Sequence, residues 1–170
     1  GTKIEAAVID DDGVVIWRER QDTPTNDYQQ IIQIFSRLIA SASDATGYDG
    51  NVGVAIPGSI DPQKGVVAGS SLPAINGKDL AADCEAEIDR PFRVANDANC
   101  FALSEARDGA SAGYNTVFGV IIGTGCGGGL VAHGQLLSGG NGIAGEWGHT
   151  PLPWPIHDEY LDHDCWCGQT

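Results

Sequence analysis

The amino-acid sequence predicts an α/β fold. Three observations carry this: short apolar runs that read as strands alternate with amphipathic runs that read as helices, turn and cap residues separate them, and glycine turns follow two of the strands. Lys3 to Asp10 carries Ile4, Ala6, Ala7, Val8 and Ile9, then Asp11-Asp12-Gly13, then Val14, Val15, Ile16 and Trp17, which reads as a hairpin about an acidic turn. Thr23-Pro24-Thr25-Asn26 is a turn and cap cluster, after which Tyr28, Ile31, Ile32, Phe35, Leu38 and Ile39 recur at helical steps. Asn51 to Ile56 is a buried-strand pattern ending at Pro57-Gly58, and the C-terminal end of a strand is where open α/β sheets place ligands. Lys78 to Ile88 reads as a second helix, Phe92 to Ala95 as a strand, and Asp97 to Ala112 as a third helix with Leu103 and Ala106 on one face. Thr116 to Ile122 is a further strand, leading into Gly123-Thr124-Gly125-Cys126-Gly127-Gly128-Gly129. Beyond Gly140 the periodicity ends and the chain reads as loop-rich. The composition shift suggests a boundary near Gly113 to Asn115, with one α/β domain over 1–115 and the start of a second over 116–170.

Composition narrows the function classes. Asp plus Glu number 23 against 9 Lys plus Arg, and a net charge of -14 repels phosphodiester backbones and anionic lipid, so nucleic acid and membrane are not expected partners. No apolar run approaches the roughly 20 residues of a membrane span, and no basic-then-apolar leader opens the chain, so a cytoplasmic location is the expectation. Five cysteines is an odd number, and Cys84 and Cys100 lie in apolar or helical surroundings. Reduced thiols or a metal site fit better than a disulfide framework.

Three constellations carry chemistry. The glycines from Gly123 to Gly129 let backbone N–H groups approach an anion and can cradle phosphate, or they form a Gly-rich hairpin. No helix follows directly and no Lys-Ser or Lys-Thr pair closes the run, so neither a dinucleotide fingerprint nor a Walker loop is present. In Val94-Ala95-Asn96-Asp97-Ala98-Asn99 a strand passes into a helix; there Asp97 can accept a proton from a substrate hydroxyl, or Asn96 or Asp97 caps the helix. Gly145-Glu146-Trp147-Gly148-His149 followed by Cys165-Trp166-Cys167-Gly168 places one imidazole and two thiolates in an arrangement similar to a zinc knuckle. The fourth ligand is open among His157, His163, Asp162, Asp164 and residues beyond Thr170, and two unrelated loop cysteines are the alternative.

Gly-Thr-Lys at the start, VAIPGSID, VANDANC, VIIGTGCGGG, GEWGH and CWCG, in this order and spacing, resemble the ROK family of sugar kinases and repressors over nearly the whole chain. ANDANC, IIGTGCG and GEWGHTPLPW look closest to the family's bacterial fructokinases, with N-acetylglucosamine kinase as a near relative. The resemblance implies an actin-like ATPase (ribonuclease H-like) fold of two α/β domains, and an ATP-dependent hexose kinase that phosphorylates a 6-hydroxyl, with fructose expected as acceptor. Other expected acceptors within the family are N-acetylglucosamine, N-acetylmannosamine and glucose. A sugar-sensing repressor and a non-catalytic sugar-binding module are the alternatives of another class.

By the same resemblance, Asp97 is the general base, and Asn96, Glu146 and His149 bind the sugar together with Gly58 and Asn76. Gly1, Thr2, Lys3, Gly123, Thr124, Gly125, Cys126 and Gly127 fall on the nucleotide side, with ATP and Mg²⁺ as cofactors. His149, Cys165 and Cys167 match zinc ligands, His149 joining metal to substrate, and a homodimer is expected. The family's pattern begins with Asp-x-Gly-Gly-Thr-Lys and continues past Cys-x-Cys-Gly. The chain is therefore expected to be a piece of a longer protein that is inactive by itself, with the Mg²⁺-binding Asp and fourth zinc ligand outside it.

Overall fold

A computed structural model of the chain describes residues 2–123, 125–149 and 153–154, and in it strands and helices alternate as an α/β fold. The chain divides into two compact units, residues 1–100 and 101–170, which meet within one helix.

The first unit opens with strands β1 (Lys3–Ile9) and β2 (Val15–Asp22), paired antiparallel from Lys3 opposite Asp22 to Val8 opposite Trp17, with an irregularity between Val8 and Ile9. Asp10 makes the turn, its carboxylate accepting from the amides of Asp12 at 3.1 Å and Val14 at 2.8 Å. Helix α1 (Tyr28–Thr46) starts because the Asp27 side chain accepts from the Gln30 amide, and ends at Gly47, whose φ of 73° is left-handed and whose N–H returns to the Ser43 carbonyl. It runs seven residues beyond the last apolar position read from the sequence, Ile39, because Ala42 continues the buried stripe of Ile31, Ile32, Ile34 and Leu38.

Strand β3 (Val52–Ile56) pairs parallel with β6 (Phe92–Asn96), which leads directly into α3 (Asp97–Arg107). Between them lie a two-residue ladder of β4 (Ser59–Ile60) and β5 (Val67–Ala68), a 3₁₀ turn at Pro73–Ile75, and α2 (Leu80–Ile88). α2 begins two residues later than the pattern predicts, because Asp79 stays outside as the cap and accepts from the Ala82 amide. Ile31, Ile32, Ile56, Val67, Leu72, Ile75, Leu80, Cys84 and Phe92 form the core of this unit. Arg90 ties the α1 end to β3 by donating to the Gly50 carbonyl at 2.6 Å and the Ser43 hydroxyl at 2.9 Å.

In the second unit β7 (Thr116–Ile122) pairs antiparallel with β8 (Cys126–Ala132), and β8 with the short β9 (Gln135–Leu136). Ala102 of α3 packs on Val117 and Val131, with Leu103 and Ala106 beside them, as the apolar face predicted. α3 stops at Arg107 rather than Ala112, because Glu105 turns back to accept from the Ala110 amide and the chain leaves the helix there. The sequence pattern does not show the β4–β5 ladder, since two residues have no periodicity, and β8 enters it only as the second arm of the Gly-rich hairpin alternative, since three glycines hide a strand. Among the described residues no helix is long and apolar enough to cross a membrane.

Cys84 is fully buried, and burial, followed by the charges of Asp83 and Glu87, pushes its thiol up to about 12. Alkylation requires thiolate. At pH 8 only roughly one Cys84 thiol in 10⁴ is ionised by this value, so peptide mapping after iodoacetamide treatment should find exposed Cys126 modified and Cys84 untouched until denaturant is added. Because the folded value lies above that of the unfolded thiol, the Cys84 contribution to stability is complete below about pH 9 and declines as pH rises towards 12.

Candidate functional site

The first unit gathers three of the residues predicted to bind sugar, Gly58, Asn76 and Asn96, into one network, with Asp97 next to it. Asn96 ends β6, and its side chain is the centre: Oδ1 accepts from the Asn99 amide at 2.9 Å, while Nδ2 donates to the Gly58 carbonyl at 2.8 Å. The first bond is the N-cap of α3. The second holds the turn after β3 against the turn after β6, so the C-terminal ends of two parallel strands are locked together.

Of the two capping alternatives, the structure selects Asn96. Asp97 is the first helical residue and is exposed, with one carboxylate oxygen accepting from the Ala98 amide at 2.8 Å. Its carboxylate sits at the amino end of α3, where the helix dipole favours negative charge. The arrangement leaves a solvent-facing carboxylate just past the end of β6, next to the buried Asn96.

Gly58 has a φ of 97°, and a Cβ there would lie 2.8 Å from the Ala68 carbonyl oxygen and 2.8 Å from Ser70 Cα. Only glycine allows that approach. Ser70 is buried, and its backbone is clasped by Asn76, whose Oδ1 accepts from the Ser70 amide at 2.9 Å and whose Nδ2 donates to the Ser70 carbonyl at 2.8 Å. In the described structure, therefore, the amides of Asn76 and Asn96 both brace backbone. Ser70 and Asn99 escaped the sequence reading. Asn99 is buried, and its Oδ1 finds no donor among the described residues, a cost of about 1–3 kcal/mol for an acceptor left dry. The NxxN spacing of Asn96 and Asn99 was visible, but nothing in it marks which amide is used twice.

In the second unit, the Gly-rich run divides into two parts. Gly123 and Gly125 flank the tip of the β7–β8 hairpin, where a side chain would meet open space. Cys126 to Gly129 belong to β8, where the glycines serve close packing: a Cβ on Gly128 would lie 2.8 Å from the Gly145 carbonyl, and one on Gly145 would lie 2.7 Å from the Gly128 carbonyl. Gly148 approaches the Cys126 carbonyl still more closely, and Trp147 Nε1 donates to the Gly127 carbonyl at 2.7 Å. The segment carrying Glu146 is thus seated on the glycine strand. Of the alternatives for this run, a hairpin is what the backbone forms on either side of the tip, and the Gly123 N–H donates to the Gly125 carbonyl at 2.9 Å.

Thr2 and Lys3 lead into β1, where Lys3 pairs with Asp22. Gly1, Thr124, Cys165 and Cys167 lie outside the described residues, as does the side chain of His149. Among the described residues no three His, Cys, Asp or Glu side chains cluster as a metal site. The donor set of His149, Cys165 and Cys167 is by chemical type one that zinc prefers.

Comparison with known proteins places these features in context. The ROK family profile matches residues 1–170. The N-acetyl-D-glucosamine kinase of Yersinia pestis is 46% identical over 153 residues, covering 90% of this chain and 60% of that protein. A ROK family glucokinase from Streptomyces griseus, solved with glucose and AMPPNP, superposes with a TM-score of 0.79 at 31% identity, over 89% of this chain and 48% of that one. A putative N-acetylmannosamine kinase from Listeria monocytogenes gives 0.77 at 27% identity, over 94% of this chain and 54% of that one. The chain spans about half the length of the curated relatives it matches.

Gly58→Ala should destabilise the first unit by about 1–3 kcal/mol, from left-handed backbone and overlap with Ser70. Asn96→Ala should cost at least the roughly 0.5–2 kcal/mol of a lost cap. Urea unfolding followed by tryptophan fluorescence measures both, and a Gly58→Ala midpoint equal to wild type would show that the turn relaxes freely.

Proposed function

The chain belongs to the ROK family, whose members of known structure share the actin-like ATPase fold, and from that membership we propose that it forms part of an ATP-dependent sugar kinase with N-acetylglucosamine as acceptor. The single observation that carries the catalytic reading is the division of labour at the start of α3. Asn96 provides the cap, so the exposed Asp97 carboxylate is left for proton transfer.

In this reading Asp97 takes the proton of the sugar 6-hydroxyl as its oxygen attacks the γ-phosphorus of ATP. The new O–P bond forms as the bond to the β-phosphate oxygen breaks, and ADP leaves with that electron pair. Phosphoryl transfer asks the protein mainly for positioning and charge neutralisation, and Mg²⁺, when bound, would supply the latter. The Gly58 turn, Asn96 and Asn76 shape the sugar side, with Glu146 and His149 as further hydroxyl partners. By the family resemblance, Gly1, Thr2 and Lys3 and the run from Gly123 to Gly127 are nucleotide-binding residues. His149, Cys165 and Cys167 would hold zinc, tying the Glu146 segment to the cysteine-rich end of the chain.

N-acetylglucosamine replaces fructose as the leading acceptor. The fructose expectation rested on the resemblance of ANDANC, IIGTGCG and GEWGHTPLPW to fructokinases. The relative at 46% identity is an N-acetyl-D-glucosamine kinase and matches 90% of this chain, a broader basis than three short motifs.

The test is ADP release by the full-length polypeptide with ATP and Mg²⁺ against N-acetylglucosamine, N-acetylmannosamine, glucose, mannose and fructose. N-acetylglucosamine should give the highest kcat/KM. Asp97→Asn should lower kcat by about 10²–10⁴-fold with sugar binding by tryptophan fluorescence little changed. Preference for fructose would reverse the substrate assignment, and unchanged turnover in the variant would remove Asp97 from its role.

A further inference from the structure

We propose that Trp147 is a positioning residue that couples the two substrate sides of the second unit, carrying the presence of nucleotide at the glycine run to the sugar-facing Glu146. This role rests on the sugar-kinase reading above, in which Glu146 and His149 meet the sugar and Gly123 to Gly127 the nucleotide.

Between the two sugar-side residues lie Trp147 and Gly148, and both are seated on β8. Trp147 Nε1 donates to the Gly127 carbonyl at 2.7 Å, and Gly148 lies against the Cys126 carbonyl with no room for a Cβ. On the other side of Glu146, Gly145 meets Gly128 backbone to backbone, where a Cβ on either would stand 2.7 or 2.8 Å from the carbonyl oxygen of the other. The Trp147 N–H also returns to the Gly145 carbonyl at 2.8 Å, which makes Glu146 the central residue of a three-residue turn. Glu146 thus stands at the apex of a turn that is fastened to β8 before it and after it.

The two fastenings differ in kind. Backbone packed on backbone excludes side chains but has little direction, whereas the indole hydrogen bond fixes where along β8 the turn sits. Trp147 is 36% exposed, so buried area is not what holds the ring alone. Its acceptor is placed to report on the tip: Gly127 pairs with Ile121, one rung from the last pair of the hairpin, Ile122 opposite Cys126. Gly127, Gly128 and Gly129 carry no side chains to hold this end of β8 in place. Nucleotide seated on the glycine run therefore fixes the acceptor of the indole bond, and the indole bond fixes Glu146. Binding on one side favours binding on the other, by the same factor in both directions.

Calorimetry on the full-length polypeptide tests this, with N-acetylglucosamine titrated in the presence and absence of AMPPNP and Mg²⁺. Wild type should bind the sugar roughly tenfold more tightly with the nucleotide analogue present. Trp147→Phe keeps a ring and loses the donor, and should bring that factor to within about twofold of one. A wild-type factor of one, or a factor unchanged in the variant, would overturn the proposal and leave the kinase reading standing. Wild type that binds neither compound would overturn both. A second measurement needs no variant: the Trp147 indole N–H resonance, identified by NOEs to Gly127 and Gly128, should shift when AMPPNP is added, and an unmoved resonance would also overturn the proposal.

Discussion

The Asn96 side chain is the point on which the first unit's functional end depends. One amide group caps α3 through the Asn99 N–H and holds the Gly58 carbonyl, so it sets where a helix begins and where the turn of a neighbouring strand lies. The group is buried, and both its ends are used. A buried amide that lost either bond would leave an unpaired donor or acceptor, so the arrangement resists small displacements. Gly58 then meets Ser70 because it has no side chain, and Asn76 pins Ser70 from the other side. Asp97 inherits its position from this network without being a structural member of it. That separation lets a carboxylate stay exposed while its backbone is fixed, the condition under which a base can be oriented without being neutralised by its own scaffold.

The second unit uses glycine to a different end. Gly128 and Gly145 stand face to face with backbone against backbone, and Gly148 rests on the Cys126 carbonyl. Side chains at these positions would push the Glu146 segment off β8. The glycine run therefore does two jobs along seven residues: an open tip at Gly123 and Gly125, and a flat strand on which another segment lies. The Trp147 indole, bonded to the Gly127 carbonyl, marks the place where that segment is fastened.

The sequence by itself determined the α/β class, the hairpin, the three helices, and the strands read at 51–56, 92–95 and 116–122, because periodic burial and cap residues are local properties of the chain. It also placed Gly58, Asn96 and Asp97 at strand ends, where ligands bind in such sheets. Tertiary structure decided the rest. Which residue caps α3 depends on Gly58, which is distant in sequence and reaches Asn96 only after β3 and β6 pair. That Gly127 to Gly129 form a strand depends on β7 and on the segment bearing Gly145, since three glycines have no strand preference of their own.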